Sequence, residues 1–147
     1  MKFFLILILS INIHALEKIY FLPEDAKKTK KHIEKLIEDS KVSIDIAMYN
    51  FGYKKFAKLL DKAHARGVKV KIFYDKKDVY FNAIETKTVD KKLHTKIAIF
   101  DKKTVVFGSA NWTKKSFKEN YEVIYVTDNK KILSEFNNFF NELTNLP

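Results

Sequence analysis

The chain has 147 residues, 46% of them hydrophobic and 31% charged, with a formal net charge of +10; that is one domain's worth of sequence, with enough apolar residues for a real core. It contains no cysteine, which excludes a disulfide scaffold and any thiolate metal centre. Only Arg66 is an arginine, so the positive charge sits on lysines, which meet phosphate as point charges and read base edges poorly. The balance favours an anionic partner, nucleic acid or an acidic membrane surface, held with little base specificity.

In chain order, "MKFFLILILSINIHALEK" begins with basic Lys2, runs apolar from Phe3 to Ile13 and offers Ala15 for cleavage. The run is short for a membrane span and fits a secretory signal peptide over residues 1–15, with residues 16–147 as the mature domain. Ile13 and His14 make an imperfect cleavage site, which leaves an uncleaved membrane anchor open. The expectation is an exported protein, periplasmic or secreted, with membrane association through this segment as the variant.

"KIYFLP" reads as a short strand ending at Pro23. "EDAKKTKKHIEKLIEDS" puts Ile33, Leu36 and Ile37 on one helical face. "KVSIDIAMYNF" alternates Val42, Ile44, Ile46 and Met48 against Ser43, Asp45 and Ala47, as a strand entering the core does. "YKKFAKLLDKAHARG" spaces Phe56, Leu59, Leu60 and Ala63 for a helix closed by Gly67. "VKVKIFYD" is a further strand, and this β-α-β-α-β order predicts a sheet with a largely parallel core. Residues 76–92 lose the pattern and predict a long loop leading into the next segment. "LHTKIAIF" and "TVVFGS" are two strands joined by "DKK", and "YEVIYV" is another. "DNKKILSEFNNFFNEL" predicts a final helix capped by Asp128, with Ile132, Leu133, Phe136, Phe139 and Phe140 inward. The expected fold is a single α/β domain with a mixed, largely parallel sheet flanked by helices.

The segment "LHTKIAIFDKKTVVFGSANWT" carries the chemistry. Strand alternation sends His94 and Lys96 to the same side at a strand start. The full spacing is His94, Lys96, Asp101, then Gly108, Ser109 and Asn111, a combination far too long to arise by accident. Histidine reaches both its neutral and its charged form near neutral pH, so it can attack or donate a proton. Asp101 lies seven residues from His94, about 23 Å along an extended strand at about 3.3 Å per residue; it cannot reach the same phosphate and is read as structural. Gly108 is read as permitting close backbone approach. The four histidines, at 14, 32, 64 and 94, include no pair at the i, i+4 spacing of a helical zinc site. No metal or other cofactor is implied.

This segment resembles the hallmark motif of the phospholipase D superfamily, and the chain is most similar to that superfamily's small bacterial endonucleases with one motif per chain. The resemblance implies a double displacement on a phosphodiester, with His94 as nucleophile and Lys96 and Asn111 on the non-bridging oxygens. Ser109 takes a supporting role, and Glu122 matches the carboxylate kept behind the histidine to fix its tautomer. Two histidines are needed, yet neither His32 nor His64 is followed by both the lysine and the aspartate of a second motif. A two-fold homodimer would bring two copies of His94 to one site. The implied substrate is DNA, single- or double-stranded, cleaved without sequence preference, and RNA is left open beside it. Two other readings stand beside it: a cardiolipin-type lipid phosphodiesterase and an inactive nucleic-acid-binding module. Trp112, Phe117 and Tyr121, beside Lys114, Lys115 and Lys118, offer rings for base stacking or for an interface.

Overall fold

A computed structural model describes residues 16–146; the expected leader, residues 1–15, lies outside the described residues. Seven strands and four helices follow in the order β1 (Glu17–Leu22), α1 (Ala26–Asp39), β2 (Ser43–Phe51), α2 (Lys54–Ala65), β3 (Lys69–Lys77), β4 (Thr86–Lys87), β5 (Lys96–Phe100), β6 (Thr104–Gly108), α3 (Lys114–Lys118), β7 (Glu122–Thr127) and α4 (Lys130–Thr144). The strands form one mixed sheet in the order β1-β7-β6-β5-β2-β3-β4.

The sheet is α/β and mixed, as expected, but it is not largely parallel. The joints β2–β3 and β3–β4 are parallel, while β1–β7, β7–β6, β6–β5 and β5–β2 are antiparallel. The reason lies in the connections. Helix α2 has the length to return the chain for a parallel β3, whereas β5 and β6 are joined by a tight turn that can only reverse it. Strand β1 then closes the far edge against β7.

Helices cover both faces. Ile33 of α1, Phe56 and Leu60 of α2 and Phe117 of α3 pack with Ile44, Ile46 and Ile72 on one face. Leu133, Phe140 and Leu143 of α4 pack with Ala47, Phe73, Ile97 and Ile99 on the other. Each Leu, Ile or Phe among them, where fully buried, contributes about 1.5–3 kcal/mol relative to exposure. Covering both faces also removes the expected polar side of β2: Asp45 is 5% exposed and Ala47 fully buried, while Val42 falls outside the strand at 60%. The buried Asp45 carboxylate is paired with the Lys102 ammonium at 2.5 Å. At the β1–β7 edge the α4 side is left uncovered, so that Ile19 and Phe21 are exposed.

Two helix starts differ from expectation. Helix α4 is capped by Asn129, whose side-chain oxygen accepts from the Lys131 and Ile132 amides at 3.0 and 3.3 Å. Asp128 instead accepts from the Leu16 amide at 2.7 Å, tying the start of β1 to the end of β7. The short α3 was not expected; Thr113 caps it through the Ser116 amide at 3.1 Å. The long loop is anchored by buried Val79 and Ile84 and contributes the two-residue β4.

Candidate active site

The antiparallel run β2-β5-β6-β7 decides where the motif gathers. Alternate strand directions put the end of β2, the start of β5, the end of β6 and the start of β7 at one end of the sheet. His94 and Lys96 lie at the start of β5, Gly108 and Ser109 at the end of β6, Asn111 just beyond it and Glu122 at the start of β7. Residues scattered over 29 positions of sequence therefore share one rim.

His94 is exposed. Lys96 is 9% exposed, and its Nζ donates to the His94 carbonyl oxygen at 2.7 Å. Burial lowers the Lys96 pKa from the ordinary 10.5; Glu122 opposes that shift and Lys92 adds to it. The Asn111 side-chain oxygen accepts from the Asn50 backbone amide at 3.1 Å. Because an N–H requires an acceptor, this bond fixes which end of the Asn111 amide is oxygen and turns its NH₂ group away as a donor.

Ser109 Oγ donates to Glu122 at 2.5 Å and accepts from the Val123 amide at 3.0 Å. Asn120 Nδ2 donates to the other Glu122 oxygen at 3.0 Å. Glu122 is thus held by Ser109 and Asn120; among the described residues it makes no hydrogen bond to the His94 ring, in contrast to the placement expected for it. At Gly108 two backbones come close: a Cβ there would lie 2.1 Å from the Val123 carbonyl oxygen.

Asp101 is at the other end of the sheet. Its carboxylate accepts from the amides of Lys41, Val42 and Ser43 at 2.7–3.1 Å, fastening the β5–β6 turn to the start of β2. Asp101 and Lys102 both have positive φ, 52° and 57°, as the two central residues of a tight hairpin require.

Of the three aromatic residues expected to stack or pack, Trp112 and Phe117 are core, at 2% and 0% exposure, and Tyr121 stands out at 93%. The first two cannot receive bases, because their rings fill the space between the sheet and α2. Sequence reasoning missed Tyr49. Its ring centroid is 4.7 Å from that of His94, and the Nζ atoms of Lys96, Lys92 and Lys76 lie 5.1, 5.5 and 5.6 Å from the same centroid. An open cavity of about 280 Å³ adjoins His94, with Leu93, Phe139, Leu143 and Leu146 among its lining residues. Among the described residues there is no group of three His, Asp or Glu side chains placed to hold a metal ion.

An exposed histidine, a buried lysine and an oriented asparagine thus share the rim of a mixed α/β sheet. The family described as cardiolipin synthase, PLD-like domain, matches residues 33–144, and the chain belongs to this phospholipase D-like family. Its fold is similar to that of NucT from Helicobacter pylori, with a TM-score of 0.76 and 25% identity over 88% of this chain and 95% of that one. It is 32% identical over 127 residues to a phospholipase D of Rickettsia prowazekii, covering 78% of this chain and 62% of the relative. It is 24% identical over 109 residues to human mitochondrial cardiolipin hydrolase, covering 66% of this chain and 43% of the relative. The chain thus spans less than two thirds of both curated relatives.

Proposed function

We propose that the chain is a phosphodiesterase that cleaves DNA without sequence preference, at a site completed by a second copy of itself. The observation that carries this reading is the exposed His94 against buried Lys96 and oriented Asn111, in a chain with a single such motif. Lys96 and the Asn111 NH₂ group hold the non-bridging oxygens. A ring nitrogen of His94 attacks phosphorus, and the bond from phosphorus to the leaving oxygen breaks. His94 of the partner subunit gives its proton to that oxygen, then takes one from water as hydroxide displaces the phosphohistidine. Side chains supply every proton and ligand in this scheme, so activity is expected in EDTA. Glu122, held by Ser109, is the carboxylate nearest in role to orient the site, and it supports the Lys96 charge.

The lipid reading has one observation in its favour: the cavity beside His94 has apolar walls that suit an acyl chain as well as a base. The names of the curated relatives, a cardiolipin hydrolase and a phospholipase D, stand on the lipid side, while the fold likeness to NucT covers nearly all of that chain. The lysine-rich composition suits a polynucleotide backbone, and an anionic lipid surface as well. The apolar leader supports export to the periplasm or beyond, or a membrane anchor; cell fractionation with and without residues 1–15 separates these.

The test is turnover of plasmid, oligonucleotide and cardiolipin vesicles in EDTA. Cleavage of the first two, reduced about a thousandfold by His94→Ala, is the expected outcome. Turnover of the vesicles alone would establish the lipid reading. Activity that needs a divalent ion, or that survives in His94→Ala, would overturn the mechanism.

A further inference from the structure

Tyr49, at the end of β2, gathers cations from three separate segments. Lys96 comes from β5, Lys92 from the loop before it and Lys76 from β3, and all three ammonium groups lie within 5.6 Å of the ring centroid. Lys96 is buried and bonded to the His94 backbone, but Lys76 and Lys92 are exposed. Among the described residues, neither forms an ion pair with a carboxylate. Asp75, beside Lys76, turns an oxygen to the Leu93 amide at 3.2 Å instead. Ammonium groups repel at such range, and the negative face of one tyrosine ring offsets only part of that. An anion is the complement this geometry lacks. In the reading above Lys96 and Asn111 take the scissile phosphate, which leaves Lys76 and Lys92, around the same ring on side chains from β3 and the loop, without an assigned partner.

We propose that Lys76 and Lys92, gathered around Tyr49, form a subsite for a second phosphate, the one a linkage away from the phosphodiester being cleaved. This rests on the phosphodiesterase reading above and adds to it what the substrate must carry. Lysines suit the task because a flanking phosphate needs charge at a roughly defined place and no fork geometry. The subsite would set the position of the strand, and so of the scissile phosphorus before His94, without reading its sequence. Two chemistries carry a second phosphate one linkage away: a polynucleotide strand and a lipid headgroup with two phosphodiesters on one glycerol.

The test compares matched ligands that differ by one phosphate. One pair is a dinucleoside monophosphate with and without a terminal phosphate; the other is vesicles of cardiolipin and of phosphatidylglycerol. Wild type and Lys76→Ala/Lys92→Ala are assayed for kcat/KM on each pair. Affinities for the nucleotide pair are measured by competition in a His94→Ala background, with and without the two lysine substitutions. The wild type is expected to favour the added phosphate by about tenfold, largely through KM, as two exposed charge contacts would give. The double variant is expected to lose that ratio, and a dye-based melting curve checks that it is folded. A ratio in the nucleotide pair assigns the subsite to a polynucleotide, and one confined to the lipid pair assigns it to a headgroup. Equal use of both members by the wild type, or a double variant that keeps the ratio, would overturn the subsite. Failure of the wild type to cleave any ligand would overturn the reaction instead, and the affinity ratio would still decide the subsite.

Discussion

His94 is exposed at the site, and its neighbours are the ones held in place. Lys96 is fixed by burial and by the His94 carbonyl, Asn111 by the Asn50 amide, and the His94 ring by the side of Tyr49. This division suits an attacking group that must meet substrate while its phosphate ligands stay still. Holding a lysine that deeply has a consequence for pH. Burial lowers the Lys96 pKa below 10.5, Glu122 pulls it back up and Lys92 pushes it down. The charged form binds phosphate, so kcat/KM is expected to fall at alkaline pH with a midpoint below 10.5. Glu122→Gln removes the one opposing influence and is expected to move that midpoint lower still. A pH profile of both proteins on a single-phosphate substrate checks this; an alkaline limb that stays where it was in Glu122→Gln would detach Lys96 from it.

Among the elements, the β5–β6 turn and the β6–β7 joint hold the rim in register. Gly108→Ala would drive a methyl group into the Val123 carbonyl, a backbone atom that cannot swing aside. A cost of about 3 kcal/mol is expected, seen as a melting temperature lower by about 10 °C. At the opposite end, Asp101 is pushed up by burial but pulled down further by the amides of Val42, Lys41 and Ser43 and by Lys103, so its net pKa is below 3.8. A carboxyl whose folded pKa is lowered stabilises fully above its unfolded value and loses that contribution as pH falls through the folded one. Asp101→Ala should therefore cost about 1–3 kcal/mol at neutral pH, and its gap from wild type should close below about pH 4. A gap independent of pH would mean that shape, not charge, holds the turn. The motif residues were legible as a set because their spacing within one hairpin is local, and the place of Asp101 at the hairpin turn is local too. Tyr49 was not, since its neighbour His94 is 45 positions away and meets it only because β2 lies beside β5. Strand order is non-local, and the same blindness produced the expectation of a largely parallel sheet. Trp112 and Phe117 look like solvent rings beside lysines in sequence; only the packing of α2 shows them to be core.

For the whole molecule, one chain presents one His94, and the proposed reaction asks for two in different protonation states at the same moment. The attacking imidazole must be neutral while its counterpart carries a proton. If each subunit were complete in itself, a covalently tied pair with one His94→Ala copy would keep about half of the activity. If the site is built from both copies, the hybrid always lacks either the nucleophile or the acid. Without the nucleophile the first displacement cannot start; without the acid the leaving oxygen departs as an unprotonated alkoxide. Since general acid help is worth about 10²–10⁴-fold, the hybrid is expected at about a hundredth of the tied wild type or lower. Steady-state cleavage by the two tandem proteins, with association checked by light scattering, measures this directly. Half activity in the hybrid, or full activity from a monomer, would mean that one histidine performs both tasks in turn and that the second copy is not needed for the chemistry.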